Sequence, residues 1–259
     1  MGGPADLTAL LPLPPRPAKP RTSGLTHVLD GGLGLDQVRG LLAVAGSHID
    51  LVRLGWGSAM VTDGLPGKLG LYREAGVPVM LGGTLTELAW LHGRVDALCD
   101  WVQELGIDRI EVSSGVVPIP PDQKRALIER LAGRFEVYAE VGEKDEAAIL
   151  PPYRWVAMIR EALEAGATLV VCEGRASGTA GLYRSTSETR TGLVEEIIHE
   201  VGIERLVFEA PRPDQQAWFV NHHGPAVNLG NVPPAEVISL ESLRLGLRAD
   251  TLATFHPLP

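Results

Sequence analysis

One pattern constrains this chain more than any other. A short apolar run ends in a polar or charged residue, a glycine usually follows, and a segment of helical period comes next, eight times over. The runs lie at 24–30, 49–55, 78–83, 109–115, 135–142, 168–174, 205–210 and 225–231. In the fifth, Val137, Ala139 and Val141 alternate with Glu136, Tyr138 and Glu140 before Gly142 breaks the run, which predicts a strand with a turn at its C-terminal end. Helix-period segments follow at about 36–45, 67–75, 84–105, 121–132, 152–165, 191–201, 213–221 and 234–247. Strands that alternate with helices predict parallel pairing through crossover connections. Eight such units in 259 residues predict an α/β fold, a single closed (β/α)8 TIM barrel over residues 21–259. No G-x-G-x-x-G follows the first strand, which argues against a dinucleotide fold. Thr84 and Glu87, three apart, have capping-box spacing at the start of a helix. Residues 1–20 hold Pro12, Pro14, Pro15, Pro17 and Pro20 and predict a flexible leader or an arm on the surface.

Composition excludes several function classes. A net charge of -9 argues against nucleic-acid binding, which rests on neutralising phosphates. No apolar run is long enough for a membrane span and no basic-then-apolar leader is present, so the expected location is cytoplasmic. Cys99 and Cys172 fall within helix and strand patterns and read as small buried residues. The histidines lack metal-ligand spacing, and His222-His223 reads as a pair compensating a helix dipole. A homo-oligomer is compatible with the sequence, which does not specify one.

In a barrel of this type the chemistry sits at the C-terminal ends of the strands. Those ends carry Asp30, Arg53, Thr84, Glu111, Ser113, Glu140, Glu173, Arg175, Glu209, Asn228 and Asn231, with Lys144 just beyond Gly142. Four successive strands thus bring a glutamate to one level, where carboxylates repel unless paired with cations or bound to a metal. Glu111, Glu140 and Glu173 are the expected metal ligands, and oxygen-only ligation suits Mg2+. Structural ion pairs with Arg53 and Arg175 are the alternative for each. Lys144 reads as a surface loop charge or as a proton-transfer group, with Glu140 or Glu143 holding it charged. Arg175, Ser177 and Gly178 supply a guanidinium, a hydroxyl and an approachable backbone, which suits phosphate or carboxylate. Arg53 and Asn228 are further candidate substrate contacts. Arg244 and Arg248, four apart on one helix, read as an anion clamp or a solvated face.

The residues resemble a known family. Gly24-Leu-Thr, Leu54-Gly-Trp-Gly57, Gly82-Gly-Thr84, Glu140-Val-Gly142 with Lys144, Glu173-Gly-Arg175 with Ser177-Gly178, Phe208-Glu-Ala-Pro211, Val227-Asn-Leu229, Ser239-Leu-Glu241, Gly246-Leu-Arg248 and Asp250 are similar to phosphosulfolactate synthases, in order from Lys19 to Thr251. The resemblance implies a barrel lyase of coenzyme M biosynthesis that adds sulfite to phosphoenolpyruvate with Mg2+, with Lys144 protonating the substrate carbon. Gly31, Arg53, Ser114 and Ala176 depart from the family pattern. They leave open a relative acting on another phosphorylated or carboxylated enol acid, and a non-catalytic, stress-associated homologue.

Overall fold

The computed structural model describes residues 11–142 and 150–256. Eight strands close into a barrel: β1 (Thr26–Asp30), β2 (Leu51–Leu54), β3 (Val79–Leu81), β4 (Arg109–Val112), β5 (Glu136–Val141), β6 (Leu169–Cys172), β7 (Leu206–Glu209) and β8 (Leu229–Val232). All neighbours pair in parallel, and β1 closes onto β8. Around them lie α1 (Leu35–Ala45), α2 (Leu65–Glu74), α3 (Gly83–Leu91), α4 (Val95–Glu104), α5 (Pro121–Ala132), α6 (Pro152–Glu164), α7 (Thr191–Val201), α8 (Pro213–His223), α9 (Val237–Arg244) and α10 (Ala249–Phe255). The expected (β/α)8 barrel is the fold.

The pleat sorts each strand onto two sides. Val28, Val52, Leu81, Ile110, Val137, Val170 and Phe208 belong to the large cluster that fills the space between barrel and helices. A second, smaller cluster of Leu51, Met80, Tyr138, Val171 and Val207 plugs the barrel interior. Two residues further along these strands, on the same side, stand Arg53, Gly82, Glu140, Glu173 and Glu209. The period of two therefore turns an apolar plug into a polar floor at the C-terminal mouth.

The opposite face is closed by other groups. The Arg16 guanidinium donates to Glu241 at 2.9 Å and to the carbonyls of Pro225 and Gly24. Arg21 pairs with Asp50 at 3.0 Å. Asn228 lies one residue before β8, where its amide bridges Leu25 N–H and Leu206 C=O. Buried Arg244 donates to the carbonyls of Pro225, Val227 and Leu25. Arg248 caps α10, bonded to Ser239 and to Asp250. Asn228 and Arg244 thus lie at the N-terminal ends of the strands and Arg248 on the outer helices α9 and α10, so none of these three expected substrate contacts lines the mouth cavity. The last strand starts at Leu229, later than its apolar run suggests, and α9 runs back down the barrel.

Thr84 is not a helix cap. The helix begins at Gly83 with Gly82 as N-cap, so Glu87 is displaced from the capping-box position. Its buried carboxylate instead accepts the N–H groups of Gly115, Val116 and Val117 at 2.7–3.0 Å, together with the Ser113 hydroxyl. One side chain of α3 thereby shapes the loop after β4.

Candidate active site

The mouth holds a cavity of about 540 Å³ whose floor is the polar layer. Arg53 organises it. Its Nη1 lies 2.6 Å from Glu111 Oε2 and 3.7 Å from Glu140 Oε2, and its Nη2 lies 3.2 Å from Glu209 Oε1. Nη2 also donates to Asn231 Oδ1. Burial disfavours the guanidinium charge, but Glu111, Glu209 and Glu140 outweigh it and raise the pKa of Arg53. Glu111 is fully engaged, because its other oxygen accepts Gly83 N–H at 3.0 Å.

The remaining carboxylates come together. Glu140, Glu173 and Glu209 are all buried, and one ligand oxygen from each lies within 4.8 Å of the others. This set could hold a metal ion. Glu140 and Glu173 of the expected trio belong to this set, which Glu209 completes, while Glu111 bonds Arg53 and Gly83 N–H. Glu209 also accepts Gly174 N–H at 2.9 Å. Its pKa is raised, first by burial and then by Glu140 and Glu111, against the opposing pull of Arg53 and the Gly174 bond. A carboxyl held this way gains from a cation that replaces its proton.

The rim is built from tight backbone. Trp56 (φ 54°), Arg175 (φ 56°) and Asn231 (φ 53°) adopt the left-handed conformation without being glycine, and all three line the cavity. Such conformations cost about 1–3 kcal/mol each and persist where surrounding structure enforces them. A Cβ on Gly83 would fall 2.1 Å from Ser113 Oγ and 2.8 Å from Glu111 Oε1, so only glycine lets α3 start against the floor. Gly82, Gly83 and Thr84 line the cavity, which places the first turn of α3 on its wall.

Of the other expected site residues, Arg175 and Ser177 line the rim. Gly178 instead closes their turn, donating to Arg175 C=O at 3.1 Å and accepting from Gln215. Asp30 faces α2, where Lys68 (2.9 Å) and Tyr72 (2.9 Å) bind it and where it accepts Gly32 and Leu33 N–H. Lys144 and Glu143 lie outside the described residues. Glu209 and Asn231 are the floor residues that sequence reading noted at strand ends without assigning. Glu209 follows inward-facing Val207 by two, which was a usable signal, whereas Asn231 reaches the floor through the shifted register of β8 and its left-handed φ of 53°.

The sequence profile of the family described as "(2R)-phospho-3-sulfolactate synthase (ComA)" matches residues 14–250. The phosphosulfolactate synthase of Methanothermobacter thermautotrophicus is 38% identical over 245 residues, covering 92% of this chain and 95% of that one. The Bacillus subtilis phosphosulfolactate synthase is 38% identical over 244 residues, covering 93% and 97%. Among solved structures, 3-keto-L-gulonate-6-phosphate decarboxylase from Vibrio cholerae superposes with a TM-score of 0.56 at 10% identity, over 90% of this chain and 99% of that one. That likeness speaks to the barrel alone, whereas the sequence relatives speak to the family. The chain belongs to the phosphosulfolactate synthase family of enzymes.

Proposed function

We propose that the protein joins sulfite to phosphoenolpyruvate to give phosphosulfolactate. The product named for the family carries a sulfonate on C3 and a phosphate on C2. Disconnecting its carbon–sulfur bond leaves sulfite and phosphoenolpyruvate, with one proton added at C2. The observation that carries the proposal is the buried trio Glu140, Glu173 and Glu209 beside Arg53, within a match spanning residues 14–250.

Three carboxylate oxygens without a nitrogen or sulfur donor suit a hard divalent cation, and Mg2+ fits them. When bound, it supplies stabilisation of the negative charge that sulfite attack pushes onto the substrate carboxylate. Arg53 pairs with Glu111, Glu140 and Glu209 and orients them. Glu111 in turn fixes the start of α3 through Gly83. Arg175, Ser177 and the first turn of α3 form an anion-binding wall for the phosphate. Lys144, two residues beyond Gly142, is assigned from the sequence as the acid that protonates C2.

The test is a reaction of the purified protein with phosphoenolpyruvate, sulfite and Mg2+, followed by phosphorus NMR. The reading expects the enol phosphate resonance to give way to a phosphate ester resonance only when all three are present. Phosphoenolpyruvate that persists, or that yields inorganic phosphate, would count against it.

A further inference from the structure

A second chamber of about 420 Å³ opens beside the mouth, over the ends of β1 and β8, and shares Trp56, Ala176 and Asn231 with it. Its chemistry is the reverse of its neighbour's. No charged side chain lines it among the described residues, and its walls are Leu29, Leu33, Pro211, Pro233 and Pro234. In barrels of this kind the loops after strands 7 and 8 often bind phosphate through backbone N–H groups. Here Pro211, Pro233 and Pro234 have none to offer. The N–H groups of Gly32 and Leu33 are both held by Asp30 Oδ1 at 2.8 Å. The side-chain oxygens of Gln37 and Asn231 already accept from Gly34 and Arg53. Trp56 instead offers an aromatic ring: it is 64% exposed and packs over Gly31, where a Cβ would fall 2.2 Å from ring Cζ3.

The central enol carbon of phosphoenolpyruvate carries three groups in one plane. The carboxylate and the phosphate need the charged half of the mouth, so the terminal carbon, which receives the nucleophile, is left towards the apolar chamber. We infer that this chamber is a subsite for an apolar group carried on the sulfur nucleophile, so that organic sulfinates are substrates alongside sulfite. This rests on the proposed function. The sulfinate sulfur lone pair forms the carbon–sulfur bond to the terminal carbon. The π pair moves to the adjacent carbon, which takes a proton. The product is a phosphooxy sulfone; nothing leaves, and nothing is oxidised or reduced.

The experiment supplies phosphoenolpyruvate and Mg2+ with either sulfite or benzenesulfinate and identifies products by mass spectrometry. The sulfone is expected with benzenesulfinate. Leu33→Asp, which places a charge in the chamber wall, should lower the benzenesulfinate-to-sulfite ratio of kcat/KM by about 10-fold or more, the scale on which apolar pockets discriminate. Turnover of sulfite with neither sulfone formation nor competition by benzenesulfinate overturns the inference while leaving the function intact. If sulfite itself is not turned over, the functional reading fails and binding alone decides the subsite. Saturable quenching of tryptophan fluorescence by benzenesulfinate, lost in Trp56→Phe, would then support it, and no such quenching would overturn it.

Discussion

Replacing Arg53 by methionine removes the charge that organises the floor while keeping much of the side-chain volume. Three carboxylates lose their cation together, at 2.6, 3.2 and 3.7 Å for Glu111, Glu209 and Glu140. Removing one partner of a buried ion pair costs about 3–5 kcal/mol, because the other charge is left buried and uncompensated. For a domain of about this size each kcal/mol moves Tm by about 2–4 °C, so Arg53→Met should melt about 6–20 °C below the parent in EDTA at pH 8. The sign of the pH dependence follows from the carboxylates. Glu209 already has a raised pKa through burial, and loss of Arg53 raises it further. The folded variant then binds more protons than its unfolded chain in the window above the ordinary carboxylate range, so it gains stability as pH falls through that window. The Tm gap between parent and variant should narrow from pH 8 to pH 5.5 by circular dichroism melting. A gap under about 2 °C at pH 8, or one that widens with acid, would refute the ionic account of the floor.

Three other changes probe separate parts of the molecule. Lys144→Ala should fold and bind phosphoenolpyruvate with Mg2+ while turnover falls by about 10²–10⁴-fold; Lys144→Arg should be similarly slow, and full activity in it would exclude proton donation. Buried His27 has a pKa lowered well below its ordinary value by burial and by Arg53, and neither ring nitrogen has a hydrogen-bond partner among the described residues. Its unfolded form takes a proton below about pH 6.5, so the parent should lose about 1.4 kcal/mol per pH unit there relative to His27→Leu, measured by urea denaturation; parallel slopes would show that His27 titrates normally. Glu87→Gln presents an amide NH2 where a carboxylate oxygen accepted backbone donors, so at least one of Gly115, Val116 and Val117 loses its partner. About 1–3 kcal/mol of stability should go with it, and faster amide exchange confined to residues 115–117 would locate the loss.

The barrel was legible because each strand carries its own punctuation: an apolar alternation, a polar end, and usually a glycine. Alternation along a strand was legible too, since Glu140 and Glu173 follow Tyr138 and Val171 by two, but which side faced inward was set only by the closed barrel. Position around the barrel was not legible. Glu111 and Glu209 look equivalent along the chain and both pair with Arg53 on β2, yet only Glu209 also lies within 4.8 Å of Glu140 and Glu173. Asn228 and Asn231 were separable only by the true start of β8, which sets one below the barrel and the other in the floor. Arg244 ends a helix that leaves the mouth and returns to the lower face, and Arg248 lies against that helix at Ser239, so the direction of α9 takes both out of the cavity whatever their spacing. Glu87 has a local reading as a capping residue, and only the fold brings the loop after β4 onto it.

The central claim about the site is that Glu140, Glu173 and Glu209 hold the cation, with Glu111 serving Arg53. Mn2+ in place of Mg2+, with binding measured by electron paramagnetic resonance, tests it directly on four single Glu→Gln variants. Changes at Glu140, Glu173 and Glu209 should each weaken Mn2+ binding by at least about 10-fold, a loss seen even for residues that only support metal ligands. Glu111→Gln should weaken it less than any of the three. Binding that depends on Glu111 and is indifferent to Glu209 would contradict the account.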